Sequence, residues 1–328
     1  DPQYGGGAVA GLSWDGRIRN AGVENLRCVS HFDASNPKDE NHRWMAVTVE
    51  NAEDCWVRRL TAEHFVSSAV ALWETARRIT VEDCKSLAPV GEIGNWRRLS
   101  FQTRGQQTLF QRCYAEYGYH DFSVGFTAPG PNAFVQCQSH VPYHFSGATG
   151  GWCTGVLFDK VTVEGGSLSY DYRDMDNRGA GWCAANSLFW QCRAGQIRCM
   201  KPPTAMNWAY GSWTQPYGNG HYELSHTFVK PESIFYAQLK ARTGKSSPEE
   251  AKVYAYATHE ATRVTPEYAA VLSRMSQSPD TTMYRWIDLM IEKYPLVSET
   301  GGAVSADEIA GTPRLAVVSS MAPALEVK

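Results

Sequence analysis

Seven short stretches of this chain superpose on one pattern of apolar and polar positions. They are residues 26–30, 57–62, 81–86, 110–115, 135–139, 158–163 and 189–194, and each carries a small, branched or sulfur-bearing residue at the same internal slot. That slot holds Cys28, Leu60, Cys84, Cys113, Cys137, Val161 and Cys192, so successive anchors are 24 to 32 residues apart. A recurring step near the lower figure, lengthened by occasional insertions, is the pattern of a solenoid that adds one coil per repeat. The repeats are too short for helix pairs and too rich in β-branched and aromatic residues, so each coil is read as strands and turns. The expected fold is an all-β solenoid, a right-handed parallel β-helix of about seven or more coils.

Strand alternation then sorts the side chains. A slot that accepts Cys, Leu and Val alike points inward, and so does the residue two further on. Those residues are Ser30, Ala62, Ser86, Ala115, Ser139, Val163 and Ala194, all compact enough to stack near a tight corner. The residue three beyond the anchor points outward, giving a row of His31, Glu63, Leu87, Glu116, His140, Glu164 and Gly195. The longer insertions, 33–43, 88–98, 117–120, 142–152 and 165–181, are expected to leave the same corner and wall a groove beside that row.

After residue 222 the pattern changes from period two to helical spacing. Helices are expected over 232–240, over 249–259 behind a Ser246-Ser247-Pro248 cap, from Thr265 onward, and from Asp280 through Trp286 and Leu289. The organisation read from these shifts is a β-helix over 1–222, a small α-helical C-terminal extension over 223–296, and a Gly/Ser-rich linker with a terminal strand over 297–328.

Composition adds a few constraints. A net charge of -3 gives no electrostatic ground for a nucleic-acid partner, and no stretch is long and apolar enough for a membrane span. The opening at Asp1 with a Gly-rich run reads as a processed product, which together with a polysaccharide partner suggests a secreted, periplasmic or cell-surface protein. Eleven Trp and 16 Tyr mildly favour a ligand that stacks, as sugars do. Of the nine cysteines, five occupy the inward anchor slot, so an unbonded buried ladder is expected rather than a disulfide framework. No CxxC pair or zinc spacing is present.

The candidate chemistry lies in the outward row and its loops. Glu63 and Glu116 sit two coils apart, ~10 Å along the axis, a separation from which two carboxylates can act as the acid–base or nucleophile pair of a glycosidase. Asp121 and His120 form a second acid–imidazole pair, with Arg97 and Arg98 placed to bind a uronate carboxylate or an enolate-like intermediate. Alternatively, Glu116 is held by one of these arginines in a structural ion pair. Trp96, His31, His64, His140, His144, Asp171 and Arg173 are the expected substrate contacts. The Asp-rich run 170–178 has some calcium-loop spacing but lacks that loop's Glu and Gly, so no cofactor is expected and calcium is the weaker alternative.

These coils, with the runs 73–75, 105–113, 130–137 and 202–209, resemble bacterial proteins of the pectin-lyase-like right-handed parallel β-helix superfamily over residues 20–215. The resemblance implies a carbohydrate-active fold but no particular activity. The Asn-Thr-Asp, Asp-Asp, Gly-His-Gly and Arg-Ile-Lys runs of polygalacturonases are missing, and 219–221 is only a fragment of them. The stacked aspartates of pectate lyases are not recognisable either, so no catalytic residue carries over. Three functions remain open: a glycoside hydrolase with two groove carboxylates, a uronate-specific polysaccharide lyase, and a non-catalytic polysaccharide-binding or tailspike-like β-helix.

Overall fold

The structure is a computed structural model in which residues 14–254, 265–276 and 281–296 are described. Two compact units are present, residues 1–288 and 289–328. The first is a parallel β-helix with three strand-bearing faces and a short helical extension. The linker and terminal strand expected over 297–328 lie outside the described residues.

Each coil passes through three parallel sheets in turn. The first sheet stacks the N-terminal half of Ala52–Glu63 under Arg77–Glu82, Leu109–Gln111, Asn132–Val135, Val156–Asp159, Leu188–Trp190, Trp208–Tyr210 and His221–Glu223. The second continues from the C-terminal half of Ala52–Glu63 through Lys85–Leu87, Tyr114–Glu116, Gln138–His140 and the start of Thr162–Tyr170. The third stacks Met45–Val49, Ser68–Leu72, Phe101–Thr103, Phe122–Val124, Ser146–Ala148 and the end of Thr162–Tyr170.

The core is a set of aligned ladders. In the first sheet Val57, Val81, Phe110, Phe134, Phe158 and Phe189 stand in register, and the Phe110–Phe134 and Phe134–Phe158 rings stack at 4.8 and 4.7 Å. Stacked rings at the coil spacing combine apolar burial with favourable ring contact. Cys84, Cys113, Cys137 and Cys192 form the inward ladder at the start of the second sheet, all buried, and all nine cysteines are free thiols.

One backbone feature makes this coil possible. The residue just before six of the seven anchors (Arg59, Asp83, Arg112, Gln136, Lys160 and Gln191) has φ between 48° and 55°. This left-handed conformation turns the chain from the first sheet into the second without losing the ladder. The amides of Arg112, Gln136, Lys160 and Gln191 still donate to carbonyls of the neighbouring coil at 2.8–2.9 Å. For a residue with a Cβ the conformation is disfavoured, and its long polar side chain projects from the corner.

The extension runs back along this corner and covers those side chains. Gln191 donates to the carbonyls of Pro231 and Glu232, and Lys160 pairs with Glu232 at 2.9 Å. Gln136 accepts from the Tyr254 amide, while Arg112, fully buried, pairs with Asp83 at 2.6 Å and Glu249 at 2.7 Å. The first helix, Ile234–Thr243, is capped by Ser233, whose hydroxyl also donates to buried Asp159; it starts two residues later than the sequence suggests because Ser233, in extended backbone, takes the N-cap position. Where a helix was expected from 249 the described chain forms a 3-10 turn, Pro248–Lys252, with Glu249 paired to Arg112 and to Lys252, and residues 255–259 lie outside the described residues. Helices Pro266–Ser276 and Met283–Lys293 are present as expected, and Asp288 of the latter pairs with Lys85 on the second sheet.

Arg112→Met removes the buried guanidinium that pairs directly with Asp83, so a loss of about 3–5 kcal/mol is expected. Urea unfolding of the full chain checks it, and Asp83→Asn in the same background should recover part of the loss.

Candidate functional site

The outward row exists, with one shift of register. Cys28 stands opposite Ala62 rather than Leu60, so Val29, not His31, stands beside Glu63; His31 lies beyond the strand and is exposed. Glu63, Leu87, Glu116, His140 and Glu164 do share the outer face of the second sheet. The acidic groups along it are already engaged. Arg27 holds Glu63 through two hydrogen bonds of 2.8 and 3.0 Å and pulls its carboxyl below the ordinary range. Glu116 accepts from the Ala88 amide at 3.0 Å, and Glu164 takes hydrogen bonds from Gln138 and His140. His64 sits in a left-handed turn with its ring edge-on to Phe32.

Three expected site residues point inward instead. Asp121 is fully buried and accepts from the hydroxyls of Ser100 and Ser139, both at 2.6 Å, with burial raising its pKa to about 6. His120 is buried with Nδ1 2.7 Å from the Phe145 carbonyl, and burial lowers its pKa to about 3, so the imidazole is neutral. Arg98 is buried and donates to the carbonyls of Gly91 and Tyr117. Each lies where the chain folds back over the corner between the second and third sheets, and period-two alternation does not extend through such a turn. Arg97 does not meet Glu116; it forms a paired contact with Glu40 at 2.7 and 2.8 Å.

The insertions also leave two corners, not one. Residues 165–167 pass from the second sheet to the third through only a bulge in Thr162–Tyr170, and the Asp-rich excursion begins after Tyr170, at the corner between the third and first sheets. The result is a cleft over the outer face of the third sheet, made of two adjoining cavities of about 540 and 380 Å³ that share His144, Phe145, Ser167 and Gln196.

Its floor is set by strand register. Ser167, Gln196 and Gln215 stand in one row, and Ser169, Arg198 and Tyr217 in the next. One wall is the 142–145 turn over Gly166, where a Cβ would come within 2.6 Å of Pro142, so glycine keeps the passage open. The opposite wall carries Asp171, Tyr172, Arg173 and Asp176. Arg198 donates to Asp171 at 2.6 Å with its guanidinium 4.3 Å from the Tyr217 ring centre. Arg173 donates to Asp176 and to the Thr149 carbonyl at 2.7 Å and lies over Phe145.

His144 lines the same cavity as both arginines. Its ring stacks on Tyr119 at 4.9 Å and contacts His120 and Phe145, and among the described residues its nitrogens have no hydrogen-bond partner. Partial burial, then the charges of Arg173 and Arg198, lower its pKa, leaving a neutral imidazole in the cleft. The aspartates of the 170–178 run are turned to separate partners: Asp171 to Arg198, Asp174 to the Tyr172 hydroxyl, and Asp176 to Arg173. Among the described residues no group of three or more His, Cys, Asp or Glu side chains is placed to hold a metal ion.

Of the sequence-derived candidates, the cleft therefore brings together His144, Asp171 and Arg173 and leaves the others apart. Arg198 and Gln196 were not expected. Alternation does mark them, because Ile197 and Cys199, the residues that alternate with them, point into the core.

A family described as "Domain of unknown function (DUF6298)" matches residues 220–328, the last strand of the first sheet and everything after it. Neither a search of curated proteins nor a search of solved structures gave a match.

Asp121 gives a pH test of its buried position. Its folded pKa lies above the ordinary aspartate value, so the folded chain binds this proton more tightly than the unfolded one. Its contribution to stability falls as pH rises from about 4 to about 6 and is level above that. Stability of Asp121→Asn relative to the unsubstituted protein should rise across this interval, measured by urea unfolding at both ends; a constant difference would place the carboxyl in contact with solvent.

Proposed function

We propose that this protein is a carbohydrate-active enzyme that carries an extended acidic polysaccharide along the outer face of its third sheet and cleaves it by β-elimination in the His144 cleft. The observation that carries this reading is the imidazole of His144, without a hydrogen-bond partner among the described residues, lining one cavity with Arg173 and Arg198. A neutral imidazole is a competent general base, and a base must reach its proton without first breaking a hydrogen bond. Guanidiniums fit carboxylates in a planar fork and oppose charge that develops during reaction. Glutamine amides and aromatic rings beside them suit the hydroxyls and the C–H faces of a sugar.

In this mechanism His144 removes the proton at C5 of a uronate unit. The carboxylate beside that carbon takes up the charge against Arg173 or Arg198. The electron pair then forms the C4–C5 double bond as the C4–O bond to the leaving chain breaks, and water in the open cleft protonates the departing oxygen. The engagement of Glu63 by Arg27 and the burial of Asp121 favour this route over one using two groove carboxylates. The likeness to pectin-lyase-like β-helices supports a polysaccharide substrate, and such a substrate suits a secreted, periplasmic or cell-surface protein.

Incubation with a panel of plant, algal and bacterial polysaccharides, read by reducing ends and by near-ultraviolet absorbance, tests this. Unsaturated product from uronate polymers alone is expected, and His144→Gln should lower its rate by about 100-fold or more. Because the His144 pKa is lowered, the acid limb of the rate profile should lie below the ordinary histidine range. Reducing ends without absorbance would point to hydrolysis, and binding without product to a non-catalytic polysaccharide-binding protein.

A further inference from the structure

Along the same face, in earlier coils, a second cluster has no role in the cleft. Arg104 follows Phe101–Thr103, and its guanidinium lies 4.9 Å from the Trp73 ring centre, 5.2 Å from Trp96 and 5.7 Å from Phe126. Trp73 follows Ser68–Leu72, and Phe126 lies just beyond Phe122–Val124, so three successive coils contribute. Trp96 comes from the loop overhanging the face, is 41% exposed, and lies 5.9 Å from Phe126. Glu74 pairs with Arg104 at 3.1 Å from an exposed position.

A purely structural aromatic cluster would be buried; this one keeps an indole in solvent. Exposed aromatic surface beside an arginine is a common composition for a binding site. The guanidinium also holds the rings in place before any ligand arrives, which lowers the ordering cost of binding.

We propose that the Trp73–Trp96–Arg104–Phe126 platform is a distal subsite that stacks one sugar ring of the same polymer on Trp96, with Arg104 contacting a carboxylate or hydroxyls at the ring edge. The proposal rests on the polysaccharide reading of the cleft. From Arg104 to Asp171 the third sheet advances by three coils, Phe101–Thr103 to Phe122–Val124 to Ser146–Ala148 to Thr162–Tyr170, or ~14 Å. A pyranose chain rises by about one coil spacing per ring. One oligomer several rings long therefore covers both sites, and a short one fills only the cleft.

The test uses the full chain and a length series of oligogalacturonates, following near-ultraviolet product and tryptophan fluorescence. Trp96→Ala should raise KM by about tenfold for the long oligomers and leave both KM and kcat for the shortest unchanged. Trp96→Phe should restore most of the long-chain advantage. Equal KM increases at all lengths, or none, would overturn the subsite while leaving the cleft chemistry intact. If no product forms, a long-chain fluorescence change lost in Trp96→Ala would keep the subsite and overturn β-elimination. No fluorescence response and no product would overturn both.

Discussion

The first-to-second-sheet corner is the constraint on which the β-helix rests. Every coil must turn there, and from Arg59 to Gln191 the turn is made by a non-glycine residue in the left-handed region immediately before a buried anchor. Such a conformation persists only where surrounding contacts over-determine it. Coil-to-coil hydrogen bonds through the same peptides provide those contacts on the inside, and the extension provides them on the outside. The part of the chain matched by a family without an assigned function thus contains a strap for this corner, formed by residues 229–254 and the start of Met283–Lys293.

Much of the architecture was legible because a solenoid repeats its instructions. Cys, Leu and Val at one slot could only be an inward position, and Cys84, Cys113, Cys137 and Cys192 are buried there. The corner residues were much harder to read. Left-handed positions are usually marked by Gly, Asn or Asp, and here Arg, Gln and Lys fill most of them. Their conformation is imposed by stacking and cover, which a local pattern does not encode. The shift at Cys28 has a related cause: among the described residues Gly22–Val29 pairs only with Ala52–Glu63, so its register depends on that strand rather than on its own spacing.

The site was less legible than the fold for a specific reason. Alternation assigns a side chain to a face only while the strand lasts. Glu63, Glu116 and Glu164 lie within strands, and their outward direction was read correctly. Asp121, His120 and Arg98 lie where the chain folds back, and all three turn inward. Arg198 and Gln196 lie within a strand, and the same rule applied one sheet further would have placed them at the cleft floor. Spacing along the sequence also hid the change of corner at Tyr170, since a bulged passage and a long loop look alike without register.

The buried thiols have a consequence of their own. Burial holds Cys84 and Cys113 far from ionisation, and Cys153, Cys183 and Cys199 are pushed up to about 12, so they are poor nucleophiles while the coils stay closed. Cys84, Cys113, Cys137 and Cys192 each mark a different level of the stack, and Cys28 at the first level is only half covered. The sulfur ladder is in effect a graduated scale: an alkylating reagent would mark Cys28 first and reach the rest only as levels part, so the order of marking would trace the direction in which the solenoid unwinds.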